Sequence, residues 1–72
     1  MDISASSRSG SKVTVSCESN ITIFELKELM SVKLGTKPHK IILKKAYQHY
    51  KDQLTLEDYE IVDGINFELY YR

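Results

Sequence analysis

The chain has a single cysteine, a single proline, three glycines and no tryptophan. The lone Cys17 cannot close an internal disulfide, so a reducing intracellular compartment suits it best. Charge of one sign is missing too: ten lysines and arginines match ten aspartates and glutamates. That balance removes the electrostatic footprint of a dedicated nucleic-acid or anionic-membrane binder. The longest apolar runs are three residues, such as Ile41-Ile42-Leu43, so neither a membrane-spanning segment nor a signal-peptide core is expected. No repeat recurs along the chain, and the one compositionally biased stretch is the serine-rich Ser4 to Ser11. Residues 1–72 form one domain of a size that buries about 60% of its unfolded surface, enough for one small core and no roomy catalytic pocket.

What is present is organised around residues 21–35. Thr22 followed by Glu25 is a capping box, and Ile21 with Leu26 can close a hydrophobic staple. Ile23, Leu26 and Met30 then recur at helical spacing, with Lys27 beside them and Glu28 and Lys33 turned toward water. Gly35 suits the left-handed residue that ends a helix, and Pro38 cannot continue it. A helix of about 12 residues is marginal alone in water, so a sheet must cover its apolar stripe.

The alternation of Met1, Ile3 and Ala5, and of Val13, Val15 and Cys17, predicts a hairpin turning through Ser6–Ser11, with Gly10 at positive φ. Ile41 to Leu43 between lysines reads as a short strand placed centrally in the sheet, followed by a turn and a brief edge strand over Ala46–Lys51. Leu54, Leu56, Tyr59 and Ile61 are spaced for a one-turn helix in a long connection. Asp63-Gly64 is a turn, and Asn66–Tyr71 is the last strand, with Phe67, Leu69 and Tyr71 on one face. Strand, strand, helix, strand, short strand, strand is an α+β arrangement: a β-grasp, in which a mixed sheet of four to five strands packs on one helix.

Leu54-Thr55-Leu56-Glu57-Asp58-Tyr59-Glu60-Ile61 resembles the Thr-Leu-x-Asp-Tyr-x-Ile segment of ubiquitin, as do Thr22, Ile23 and Lys27 at the helix start. Ile41 to Lys45, Tyr47, Lys51-Asp52, Asp58 to Ile61, Asp63-Gly64 and Glu68 to Tyr71 resemble more specifically the "homologous to ubiquitin", or ubiquitin-like protein five, family of splicing modifiers. The resemblance implies a monomeric nuclear protein, present also in the cytoplasm. It would modulate pre-mRNA splicing by binding spliceosomal proteins through their short helical segments, without attachment. No enzyme activity, cofactor, small-molecule substrate or membrane partner is implied. In that family a carboxylate just before the helix cap pairs with a partner's arginine; here that position is Ile21. Glu18 or Glu25 could take over, the partner could lack its arginine, or another surface could serve.

Two further departures bear on mechanism. Ubiquitin-type conjugation requires a flexible tail ending in Gly-Gly, whereas no glycine follows Gly64 and a strand pattern runs to Tyr71. The central isoleucine of ubiquitin's exposed patch is replaced by Lys44 and its valine partner by Tyr70. Ubiquitin-binding helices would there have to bury an unpaired ammonium, so they are expected not to bind.

Two candidate partner surfaces follow. The first is Ser16, Glu18, Ile21, Phe24 and Glu25, around the helix start and second strand. Within it Ile21 is also accounted for as a staple, and Phe24 either joins an exposed patch with Ile21 and Val32 or lies part-buried under loops. The second is Lys44, Tyr47, Tyr50 and Tyr70. Lysines interleaved with tyrosines can hold single-stranded RNA, yet without net positive charge a solvated face or protein contact fits better. Cys17 lies on the inward strand face, no acid is placed to orient His39 or His49, and the three fall short of zinc spacing, so neither catalysis nor metal binding is expected. Asp52, Glu57, Asp58, Glu60 and Asp63 read as a solvated rim. A covalent tag with a hidden or processed tail, and an RNA-contacting accessory domain, are the alternatives to non-covalent protein binding.

Overall fold

Alternating side chains at Ile3-Ser4-Ala5 and Val13-Thr14-Val15 place four apolar groups on one face of a hairpin, the arrangement found in the computed structural model, which describes residues 1–72. Strand β1 (Asp2–Ser6) pairs antiparallel with β2 (Lys12–Ser16), and Gly10 in their turn has φ +97°. Helix α1 (Ile23–Leu34) follows, then one 3₁₀ turn (Pro38–Lys40), β3 (Ile41–Lys45), the two-residue β4 (Gln48–His49) and β5 (Asn66–Tyr71). The sheet order is β2-β1-β5-β3-β4, with β1 and β5 parallel and the other pairs antiparallel. β5 is therefore the central strand and β3 lies one place off centre, a correction to the sequence expectation. Ile42 in β3 is only half-buried, because α1 covers one face of the sheet and water reaches the other.

Ile23, Leu26 and Met30 are wholly buried against Ile3, Ile41 and Phe67 in a single cluster of 13 apolar side chains. Each contributes roughly 1.5–3 kcal/mol relative to exposure, which offsets the marginal stability of so short a helix. The first orphan amides of α1 are all satisfied. Ile23 donates to the Leu54 carbonyl at 2.8 Å, Phe24 to the Asp52 carbonyl at 3.0 Å, and Glu25 to Thr22 Oγ1 at 3.1 Å. The capping box is complete, since Thr22 N–H donates to Glu25 Oε1 at 2.9 Å. Gly35 closes the other end at φ +72°, its amide donating to the Ser31 carbonyl. Lys33, in the last turn, donates to the Thr14 carbonyl of β2 at 2.6 Å.

Residues 51–65 strap the helix start to the sheet. Thr22 bridges Thr55, Leu56 N–H donates to the Ile21 carbonyl and Glu57 N–H to the Ser19 carbonyl. The one-turn helix expected there is instead a chain of tight turns. Glu60 N–H donates to the Glu57 carbonyl and Ile61 N–H to the Leu56 carbonyl, with Glu60 left-handed at φ +54°, a Schellman closure after a single turn. A second capping box opens it: Thr55 N–H donates to Asp58 Oδ2 at 2.9 Å and Asp58 N–H to Thr55 Oγ1 at 3.1 Å. The Thr55 amide, then its hydroxyl, hold the Asp58 carboxyl below its ordinary value of 3.8. A depressed folded value means that the stabilisation is present above pH 3.8 and is lost as pH falls through the lower folded pKa. The stability gap between the wild type and Asp58→Asn is therefore expected to be constant at neutral pH and to narrow under acid, read by urea melts across pH.

At the far end of β5, Tyr71 lies opposite Ile41 and the Arg72 amide donates to the Lys40 carbonyl at 2.9 Å. Phe67 and Leu69 point inward as expected, whereas Tyr71 is exposed, being past the edge of the core.

Candidate protein-binding surface

The outer face of α1 follows from spacing. Ile21, Glu25, Glu28, Leu29 and Val32 fall at i, i+4, i+7, i+8 and i+11, one stripe opposite the buried Ile23-Leu26-Met30 face. They line a groove of about 370 Å³. Leu29 is 42% and Val32 85% exposed, and Ile21 packs half-buried against the core at the groove's end. A second aliphatic stripe on a helix that already has a covered one needs no packing partner within the chain.

The five residues of the first predicted surface do not all meet. Ile21 and Glu25 line the groove, although Glu25 is engaged in the capping box. Phe24, 37% exposed, lies on the groove's shoulder and is not one of its walls. Ser16 is turned aside, its hydroxyl donating to Asp2 Oδ1. Glu18 belongs to a different cleft of about 540 Å³ with Met1, Ser19, Asn20 and Glu57, larger but lined by polar groups apart from the methionine. Glu28, Leu29 and Val32 take their place in the groove. Ile21 and Val32 thus share the patch that the sequence offered, without Phe24, and the residue not foreseen there is Glu28, seven positions from Ile21 on the same face.

The second predicted surface also divides. Lys44 and Tyr70 stand together on the outer sheet face, the ammonium 5.3 Å from the ring centre, and the Tyr70 hydroxyl donates to Glu68 Oε1 at 3.1 Å. Lys44 is therefore held by a cation–π contact, so its ammonium is not partnerless as expected; covering it still means desolvating a charge. Tyr47 projects wholly into water at the β3–β4 turn, beside Ala46 at φ +56°. Tyr50 is not on this surface. It packs edge-on against Tyr59 at 4.9 Å and Phe67 at 5.0 Å, and burial, then the Tyr59 phenol, push its hydroxyl pKa up. An interleaved lysine-tyrosine platform for RNA bases thus loses one of its two rings.

The rim reading fails at several residues: Asp58 closes the second capping box, the Asp63 carboxylate accepts from the Asp2 amide and Glu57 accepts from the Ser19 hydroxyl at 3.3 Å. Asp52 accepts from Lys27 Nζ at 2.7 Å, and the Lys27 side chain is only 7% exposed, so this carboxylate supports the helix start. Tyr59 pins the start of the strap, its hydroxyl accepting from the Lys51 amide at 2.7 Å. Burial raises the Cys17 thiol pKa, with the Met1 ammonium pulling it down and Asp2 pushing it up; the thiol is a small apolar group against the core.

No family model matches the chain. Curated relatives match it nearly end to end. Ubiquitin-like protein 5 of Drosophila melanogaster is 49% identical over 72 residues, covering 100% of this chain and 99% of its own. Ubiquitin-like modifier HUB1 of Debaryomyces hansenii is 49% identical over 71 residues, covering 99% and 97%. This chain belongs to the HUB1/ubiquitin-like protein 5 family. A more distant member, HUB1 of Saccharomyces cerevisiae, is 39% identical with the same coverage. The crystal structure of the UBL domain of Plasmodium falciparum Dsk2 superimposes with a TM-score of 0.91 at 22% identity, covering 100% of this chain and 97% of that one, which establishes the ubiquitin-like β-grasp. The curated HUB1 relatives are named as modifiers, so this member is a ubiquitin-like modifier protein.

Proposed function

We propose that the chain acts as a non-covalent ubiquitin-like modifier in the nucleus, modulating pre-mRNA splicing by seating short helical segments of spliceosomal proteins on the outer face of α1. The observation that carries the reading is the groove of Ile21, Leu29 and Val32, an apolar stripe at helical spacing that the chain leaves uncovered. Two helices meet by packing such stripes into each other's grooves, the helix-in-groove mode of recognition. The splicing context comes from the Asp-Tyr-Glu-Ile and Tyr-Tyr segments that resemble the splicing modifiers.

The test is co-purification from nuclear extract with the wild type and with Leu29→Asp/Val32→Asp. Spliceosomal proteins are expected with the wild type and to be released by denaturant. The variant, changed only at exposed positions, is expected to fold normally and to recover them about tenfold less or worse. Recovery equal to the wild type would remove the groove from the interaction. The relatives' name, modifier, favours covalent tagging as a second reading. A thioester formed with an activating enzyme and ATP would establish that reading in place of ours.

A further inference from the structure

We infer that Glu28 selects the groove's occupant, a helical segment carrying an arginine or lysine beside its apolar stripe. The inference rests on the groove being the helix-binding site proposed above and goes on to say which residue of the groove sets the occupant's charge and position.

The groove walls hold two carboxylates and no cation. Both lysines of α1 are directed elsewhere, Lys27 inward to Asp52 and Lys33 to the Thr14 carbonyl. Glu25 already accepts from the Thr22 amide. Glu28 differs from all of these: its carboxylate makes no ion pair and no hydrogen bond, and only its backbone carbonyl is used, by the Ser31 hydroxyl. The positions that could neutralise it within the helix, at i+3 and i+4, are Ser31 and Val32.

An exposed carboxylate fixed on a rigid element beside Leu29 and Val32 has a specific effect on what can lie there. A purely apolar segment would strip water from Glu28 and return nothing. A segment with a guanidinium or ammonium at the rim restores that interaction, and a rim charge pair sets register and excludes acidic competitors. Position matters as much as charge. Ile21, where the resembled family carries its carboxylate, and Glu28 are seven residues apart on one face, so the anion stands about 10 Å further along the helix. An occupant must place its cation two turns along α1 from the cap.

Two synthetic helical peptides of about 20 residues serve as probes, with leucines at i, i+4 and i+7 and either arginine or glutamate on the flank. Anisotropy titrations are run against the wild type, Glu28→Gln, Glu28→Lys and Leu29→Asp. The wild type is expected to prefer the arginine peptide by about tenfold or more. Glu28→Gln should lose that preference, and Glu28→Lys should transfer it to the glutamate peptide, a gain that misfolding cannot mimic. An arginine preference unchanged in Glu28→Gln, with binding still abolished by Leu29→Asp, overturns the role of Glu28 and leaves the groove standing. No binding of either peptide to the wild type, or binding indifferent to Leu29→Asp, overturns the groove itself.

Discussion

Phe67→Ala is expected to cost about 3–5 kcal/mol and to leave most of the chain unfolded at physiological temperature. Phe67 is the largest wholly buried side chain and sits on the central strand, opposite Ala5 of β1. The walls of the cavity would be side chains of the single core cluster, carried by β1, β3 and α1, with the Tyr50 ring at 5.0 Å. The cost depends on how well a site can collapse, and this one is held from three directions. Native domains have about 0.05–0.15 kcal/mol of stability per residue, so a chain this short has little beyond that loss. Urea melts followed by far-UV circular dichroism measure it, with Phe67→Leu as the milder companion. A midpoint for Phe67→Ala close to the wild type's would show that Tyr50 and Leu56 refill the space.

The second large effect is an asymmetry. Asp52→Ala is expected to destabilise by about 2 kcal/mol, whereas Lys27→Met should lie within about 1 kcal/mol of the wild type. The two side chains share one ion pair but differ in surroundings: Lys27 is 7% exposed and Asp52 48%. Removing the carboxylate strands a buried ammonium. Removing the lysine frees an aspartate that water already reaches, and methionine fills the lysine's apolar channel. Water at Asp52 screens the pair, which is why the figure stays below that of a fully buried bridge. A double-mutant cycle over the two positions isolates the coupling. Equal losses from both single variants would show that packing, not charge burial, dominates there.

Much of the architecture was legible because local signals agreed. The capping box, the Ile23-Leu26-Met30 stripe and Gly35 mark both ends of α1 independently, and the structure places it at Ile23–Leu34. The rank of β5 was not legible. Its parallel pairing with β1 joins Ser4 to Asn66 and Ala5 to Phe67, and nothing within either strand's own side-chain pattern names so distant a neighbour. The strap failed differently. Leu54, Leu56, Tyr59 and Ile61 are spaced for one helical turn, but the segment forms successive tight turns closed by a left-handed Glu60, a residue type with no such preference. For the site, the aliphatic stripe could be read from spacing. Which polar groups were already committed could not: Ser16 to Asp2, Glu25 to Thr22 and Lys27 to an aspartate 25 positions away are facts of tertiary contact.

The lysine at the end of α1 bears on how copies of this chain treat one another. Ser4 spends its amide on the Ile65 carbonyl, so the backbone of its antiparallel partner Thr14 faces outward from the sheet's flank. There the Lys33 ammonium occupies the carbonyl that an incoming strand would use, and the opposite flank is only two residues long. Both borders are thereby made poorer templates for polymerisation through main-chain pairing, which favours meetings between crowded molecules through their side chains.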